Sequence, residues 1–242
     1  MQLSKTLRFG IPATFLGIVL FSTAYQNTFT SRFINHYVDS VMTEAQKRLP
    51  ENALMGIKVA EGLEAKTFAT EPMLMNPTDI EVDARGRVWV LEAYNYRPAI
   101  TGNPERKEGD RIMILEDKDG DGKADESKIF YQGPEINAPL GISVLGNVVI
   151  VSQSPYVWKF TDTNGDDKAD KKEILFQGMK GEQHDHGMHA FVFGPDGKLY
   201  FNFGNAGESL KDAAGNIVKD QFGKEISPKN YQEGMVFRCN MD

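Results

Sequence analysis

Alternating apolar and polar positions recur in three stretches of the chain, and each alternation is interrupted once by a tight turn. The stretches are PTDIEVDARGRVWVLEA (77–93), PLGISVLGNVVIVSQS (139–154) and MHAFVFGPDGKLYFNFG (188–204). A period of two predicts strands with one buried face. Gly86, Gly146 and Gly197 lie at the interruptions, where hairpin turns favour a positive φ. Each stretch is therefore predicted to form a β-hairpin.

A second kind of unit alternates with these hairpins. IMILEDKDGDGKADESKIFYQG (112–133) aligns without gaps to VWKFTDTNGDDKADKKEILFQG (157–178), and nine of 22 positions are identical at an offset of 45. Two hairpins supply four strands, which is one blade of a β-propeller at the usual period of ~40–50 residues. A β-solenoid is the alternative, but solenoid turns are shorter and do not alternate two hairpin types. The predicted fold class is all-β, a β-propeller.

The apolar positions of the hairpins are the predicted core, because blade faces are buried against neighbouring blades. The residues expected to pack inward are Ile80, Val82, Val88, Val90, Ile142, Val144, Val149, Val151, Phe191, Phe193, Leu199 and Phe201.

The N-terminus has the pattern of a signal peptide or a membrane anchor. Lys5 and Arg8 precede an apolar run over residues 9–21, and small residues follow at 22–24. Basic residues before an apolar run place the downstream chain outside the cytoplasm. We therefore expect residues 1–25 to export the protein to the periplasmic side of the cell envelope, either secreted or anchored in the membrane. A buried helix of a globular domain is the alternative.

The rest of the chain divides into two predicted parts. Residues 26–56 hold an amphipathic helix over 31–49, which Pro50 ends, and a linker. Residues 57–242 are predicted to form a partial propeller of about four blades at ~45–50 residues each. The last stretch, GMVFRCNMD (234–242), is expected to open a further blade, so the propeller would be truncated at its C-terminus.

The composition of the chain argues against several classes of function. The formal net charge is −7, from 34 acidic and 27 basic residues, so a nucleic-acid partner is not expected. Cys239 is the one cysteine, which excludes an internal disulfide and a four-cysteine zinc site. The chain also has no CxxCH sequence for attaching haem.

The first acidic loop is a candidate calcium site. Asp117, Asp119, Asp121 and Asp125 occupy loop positions 1, 3, 5 and 9, and hard oxygen ligands at this spacing suit Ca²⁺. An EF-hand would have a glutamate at position 12, where this chain has Lys128, and its flanks would be helices. We therefore predict a calcium loop within a β-hairpin, which braces the hairpin.

The second acidic loop is a weaker candidate of the same kind. Its predicted ligands are Asp162, Asn164, Asp166 and Asp170, and Asp167 replaces the glycine at position 6. The alternative for both loops is a polar turn without an ion, although four crowded carboxylates would then repel one another.

A histidine cluster is the strongest candidate for catalysis. His184, His186 and His189 lie close together around Asp185, directly before a predicted innermost strand. An imidazole beside the central channel could act as a general base or as a metal ligand. A structural, hydrogen-bonded histidine is the third interpretation, and the residues alone do not decide among the three.

The stretch HGMHAFVFGPDGKLYFNFGNAG (186–207) resembles the soluble quinoprotein glucose/sorbosone dehydrogenases. The resemblance implies a six-bladed propeller with calcium and pyrroloquinoline quinone (PQQ) as cofactors. It also implies that His186 is the base that takes the proton of a sugar or alcohol hydroxyl, with a c-type cytochrome as electron acceptor.

A wider resemblance covers most of residues 57–238. EPMLMNPTDIEVDARGRVWVLEAYNYR, GDRIMILEDKDGDGKAD, HDHG and FGPDGKLYF are similar to the N-terminal domain of the membrane-bound dehydrogenases of planctomycetes, verrucomicrobia and Bacteroidetes. The leading interpretation is an N-terminal dehydrogenase fragment that is inactive alone. The alternatives are a non-catalytic, calcium-braced propeller that binds carbohydrate or a partner protein, and the product of a damaged or split gene.

Overall fold

Three antiparallel sheets dominate the computed structural model, which describes residues 42–178, 186–204, 207–231 and 235–241. The chain divides into two compact units, with the boundary between Thr67 and Phe68. All three sheets belong to the second unit.

The described part of the first unit, residues 42–67, contains two short helices among turns and irregular segments. Helix α1 spans Glu44–Lys47 and begins with a capping box, in which Thr43 and Gln46 bond to each other's backbone N–H. A 3₁₀ helix follows at Pro50–Asn52. The predicted signal at 1–25 and most of the predicted helix at 31–49 lie outside the described residues. Within the described ranges, no helix has the length and apolar character to cross a membrane.

The first sheet is an antiparallel meander of four strands in chain order. Its strands are β1 (Pro77–Val82), β2 (Val88–Glu92), β3 (Arg111–Glu116) and β4 (Glu126–Gln132). A short helix, α2 (Pro98–Thr101), lies between β2 and β3.

The second and third sheets repeat this arrangement. The second contains β5 (Gly141–Leu145), β6 (Val148–Gln153), β7 (Tyr156–Thr161) and β8 (Lys171–Gln177), with β11 (Lys211–Asp212) added beside β8. The third contains β9 (Met188–Phe193), β10 (Leu199–Phe203) and β12 (Met235–Cys239), in the order β12-β10-β9.

The first strands of the three sheets lie side by side. β1 contacts β5, and β5 contacts β9. One apolar cluster fills the space between the first two sheets, and another joins the second sheet to the third. Sheets that pack face to face around a common inner edge are the blades of a propeller. The all-β, β-propeller prediction is confirmed.

The predicted core is correct at most positions but wrong at Ile80 and Val82, which are 60% and 57% exposed. The other face of β1 is the one that meets β5: Asp79 Oδ2 accepts a hydrogen bond from Ile142 N at 3.0 Å, and Glu81 Oε2 accepts one from Ser143 Oγ at 3.1 Å. Residues of 68–74 pack on the same face of the sheet as Ile80, but they cover β2 and β3 rather than β1.

The expected number of about four blades is not confirmed, because the described residues form three sheets. The estimate assumed a uniform blade length. Instead, residues 207–231 contribute β11 to the second sheet and two isolated bridges, Lys211↔Ile217 and Lys219↔Glu225. The strand near the C-terminus also differs from expectation. β12 does not open a further blade but pairs with β10 in the third sheet.

Candidate functional site

The propeller has two ends with different chemistry. Thr78 Oγ1 donates a hydrogen bond to Pro139 O at 3.0 Å, so the segments that lead into β1 and β5 lie together. His186 comes directly before β9 and shares this end, which we call the histidine end. The acidic loops follow β3 and β7 and lie at the opposite end, the loop end. The predicted base and the predicted calcium ligands are therefore not brought together.

The backbone around His186 is closely held. Gly204 N donates a hydrogen bond to Gly187 O at 3.0 Å, and a Cβ atom on Gly204 would lie 2.4 Å from His186 O. Buried Ser152 donates its hydroxyl proton to Met188 O at 2.6 Å. This packing fixes the start of β9 while the His186 residue itself remains exposed. His184 and Asp185, the other members of the histidine cluster before β9, lie outside the described residues.

The first acidic loop joins β3 to β4, and its carboxylates bind the loop's own backbone. Asp117 accepts hydrogen bonds from Gly120 N at 2.7 Å and Gly122 N at 2.8 Å, while Asp125 accepts one from Lys118 N at 2.7 Å. Both glycines have positive φ, 79° and 89°, which permits the tight winding. The first acidic loop therefore lies between two paired strands, as the sequence predicts.

Three of the four predicted ligands in this loop converge. Asp117, Asp119 and Asp125 each place one carboxylate oxygen within 4.8 Å of the others. Asp121 is not a member of this group, and its Oδ1 accepts a hydrogen bond from Lys123 N at 2.8 Å. Hard oxygen donors at such separations match the needs of a calcium ion.

The second acidic loop repeats the same hydrogen bonds 45 residues later. Asp162 accepts from Gly165 N at 2.7 Å and from Asp167 N at 3.0 Å, while Asp170 accepts from Thr163 N at 3.1 Å. The matching hydrogen bonds show that the two loops repeat each other in structure as well as in amino-acid sequence.

The remaining predicted ligands of the second loop also bind backbone groups. Asn164 Oδ1 accepts a hydrogen bond from Asp166 N at 3.0 Å, and Asp166 Oδ1 accepts one from Lys168 N at 3.0 Å. In the described part of the chain, only the first loop brings three acidic groups together, so the second remains the weaker candidate.

Asp167 has a role that the sequence pattern did not reveal. It occupies the glycine position of the loop with φ 65°, and its carboxylate reaches the first sheet. There it pairs with Arg87 Nη1 at 2.7 Å, Lys128 Nζ at 2.8 Å and Arg85 Nη2 at 3.2 Å. Burial opposes ionisation of Asp167, but the hydrogen bonds from Lys128 and Arg87 hold its pKa well below the usual value. Asp167 therefore links two blades at the loop end.

A buried carboxylate cluster lies at the histidine end and was also missed. Glu92, at the end of β2, has no exposed surface. Arg111 donates two hydrogen bonds to it, each at 2.6 Å, and Arg106 donates one at 2.9 Å. Met75 N donates a fourth at 2.7 Å. The bidentate arginine contact is the strong form of this ion pair.

Asp110 is a second buried carboxylate beside this cluster. It accepts hydrogen bonds from Ala138 N at 2.7 Å and Asn95 N at 3.1 Å. Burial raises the pKa of Asp110, and these two bonds only partly oppose the rise. Asp110 connects the first sheet to the segment that leads into β5.

The DUF7133 family, whose description is "Domain of unknown function", matches residues 49–235. The chain belongs to this family. No curated protein matches the DUF7133 chain. Membership of the membrane-bound dehydrogenase family stays a prediction.

Several solved structures resemble the DUF7133 chain. The iodide structure of the Trichoderma reesei Carbohydrate-Active Enzymes Family AA12 gives a TM-score of 0.46 at 17% identity, over 64% of this chain and 40% of that one. The holo form of the pyranose dehydrogenase PQQ domain from Coprinopsis cinerea gives 0.42 at 20% identity, over 67% and 38%. The calcium structure of the Trichoderma protein gives 0.43 at 15% identity, over 69% and 43%. The chain thus spans about two fifths of the length of these structures.

Proposed function

We propose that this DUF7133 protein is the propeller part of an exported dehydrogenase of the quinoprotein type, which oxidises a hydroxyl group of a sugar or an alcohol. The observation that carries the proposal is the position of His186, exposed at the start of β9 on the inner edge of the third sheet. Ligands of propellers bind at this inner edge, around the central channel.

His186 acts in this proposal as a general base. Oxidation of a hydroxyl to a carbonyl removes a proton from oxygen and a hydride from carbon. A neutral imidazole within hydrogen-bond reach takes the proton, which contributes typically ~10²–10⁴-fold to the rate. The packing of Gly204 and Ser152 against the flanking backbone keeps the backbone of His186 in a defined place.

PQQ is the hydride acceptor that the resemblance implies, and its carboxylates call for cationic partners. Arg106 and Arg111 lie at the histidine end, but both are engaged by Glu92. Neither arginine is therefore available to pair with a PQQ carboxylate, and we derive no step through the cofactor. The proton-transfer role of His186 does not depend on Arg106 or Arg111. A c-type cytochrome as acceptor and attachment to the membrane through residues 1–25 belong to the same proposal.

A substrate panel tests this function. The longer protein of which this chain is proposed to be the propeller part, supplied with PQQ and Ca²⁺, is assayed for dye reduction with pentoses, hexoses, alditols and simple alcohols. We expect reduction that requires both PQQ and one class of substrate. A folded protein that reduces no dye with any compound would contradict the proposal.

A second function is a non-catalytic propeller, braced by calcium, that binds carbohydrate or a partner protein. The convergence of Asp117, Asp119 and Asp125 favours the calcium part of this alternative. Their carboxylates would hold the ion, and the ion would remove the repulsion among them and tie the two ends of the β3–β4 loop together.

Replacing Asp119 by Asn should reduce the rise in melting temperature that Ca²⁺ produces. An ion at ~100 times its dissociation constant stabilises a fold by ~2.7 kcal/mol, which corresponds to roughly 5–10 °C for a domain of this size. Asp121→Asn is the matched control, since Asp121 lies outside the converging group. Thermal unfolding with Ca²⁺ and with chelator gives the comparison. An equal loss for Asp119→Asn in chelator would show that no ion was bound.

A further inference from the structure

A small pocket opens at the histidine end, between the connection from β4 to β5 and the turn from β6 to β7. Its walls come from residues of 134–137 and 153–156, and its volume is about 180 Å³. Because residue 134 follows β4 of the first sheet and residue 153 ends β6 of the second, the pocket lies between these two sheets. We call it the seam pocket.

Two polar side chains of the seam pocket lack partners. Ser154 is 4% exposed, and its Oγ has no hydrogen-bond partner among the described residues. Asn137 Oδ1 is likewise buried and unpaired there. Gln153 has a partner at each end of its side-chain amide, since Oε1 accepts a hydrogen bond from Asn137 N at 3.0 Å and Nε2 donates one to Ser154 O at 2.9 Å. Buried polar atoms in native proteins nearly always have partners, so the two unpaired atoms indicate that a polar molecule binds here.

The charges around the pocket indicate that this molecule is neutral. Glu135 is the one charged residue among the lining residues. Its carboxylate already accepts a hydrogen bond from the Tyr131 hydroxyl and forms an ion pair with Lys172. No charge of the lining residues is therefore left for an ionic ligand.

The unpaired atoms also define the groups that the ligand presents. Asn137 Oδ1 only accepts hydrogen bonds, whereas the Ser154 hydroxyl donates or accepts. A hydroxyl group satisfies both. Pro155 and Tyr156 supply an apolar wall, which suits the C–H face of a polyol. Both polar atoms are buried in the pocket wall, so binding requires the Asn137 and Ser154 side chains to turn toward the ligand.

We propose that the seam pocket binds a small neutral polyol, from glycerol to a single sugar ring. Its volume lies below the ~300–1,000 Å³ of sites for drug-sized ligands, which suits a small molecule. This binding does not involve His186 and does not depend on the proposed oxidation.

Ligand-observed saturation-transfer NMR on the full chain tests the proposal, with glycerol and D-glucose as probes and no redox cofactor. The wild type should bind at least one of them. Ser154→Ala and Asn137→Ala should each weaken that binding tenfold or more. Ser127→Ala, at an exposed position of β4, is the matched control and should leave the affinity unchanged.

The Ser154→Ala variant also reports on folding. Since it removes a hydroxyl that has no partner, its melting temperature without ligand should equal or exceed that of the wild type. Two results would overturn the proposal. One is that neither glycerol nor D-glucose binds to the wild type, which would indicate that the pocket holds only water. The other is that both variants bind as tightly as the wild type.

Discussion

Replacing Glu92 by Gln is expected to lower the free energy of unfolding by roughly 3–5 kcal/mol, the cost of breaking a buried ion pair. Glu92 is 0% exposed and accepts four hydrogen bonds, three from Arg106 and Arg111 and one from Met75 N. An amide of the same shape keeps the volume. It removes the negative charge, however, and cannot accept from both arginines at both of its ends.

Urea unfolding of the purified full chain measures this effect as a shift of the midpoint at constant slope. Glu105→Gln is the matched control, because it removes the same charge from an exposed position at the same end and should change stability by less than ~0.5 kcal/mol. Equal midpoints for the two variants would show that the Glu92 cluster does not stabilise the propeller.

The hairpins were predictable because both of their signals are local. Alternation over 77–82 and 88–92 sets the strands, and Gly86 between them, with φ 79°, sets the turn. The same holds for the acidic loops. Their flanks read as strands in the sequence, and β3 pairs with β4 as β7 pairs with β8.

The exposure of Ile80 and Val82 was not predictable in this way. The alternation shows which residues of β1 share a face, but not what packs against that face. In the structure, the polar face with Asp79 and Glu81 meets β5, whereas residues of 68–74 cover the apolar face only over β2 and β3. The alternation therefore predicted which residues of β1 share a face, but not which part of the chain packs against that face.

The two missed ionic groups depend on contacts between distant parts of the chain. Asp167 pairs with Arg87, which is 80 residues earlier. The sequence did contain a signal, namely an Asp in place of the loop glycine. In the sequence, nothing distinguishes Glu92 from any polar residue at the end of a strand. Its partner Arg111 is 19 residues later, on the adjacent strand. Such pairings become visible only once the strand register is known.

Replacing His186 by Asn is expected to lower kcat for the oxidation of a sugar or alcohol by about 10²–10⁴-fold, because Asn cannot take up the hydroxyl proton. The variant should fold normally, since the His186 residue is exposed and the contacts at Gly204 and Ser152 involve the backbone beside it. His189→Asn, three residues later within β9, is the matched control, and its kcat should stay within about threefold of the wild type.

The role of His186 is tested most directly by PQQ-dependent dye reduction, measured side by side for the wild type and the His186→Asn variant of the longer protein that contains this propeller part, at saturating Ca²⁺ and substrate. If His186 is the base, both proteins bind PQQ with similar affinity, and only the wild type turns over at an appreciable rate. A variant as fast as the wild type, or a folded wild type that binds no PQQ, would contradict the proposed function.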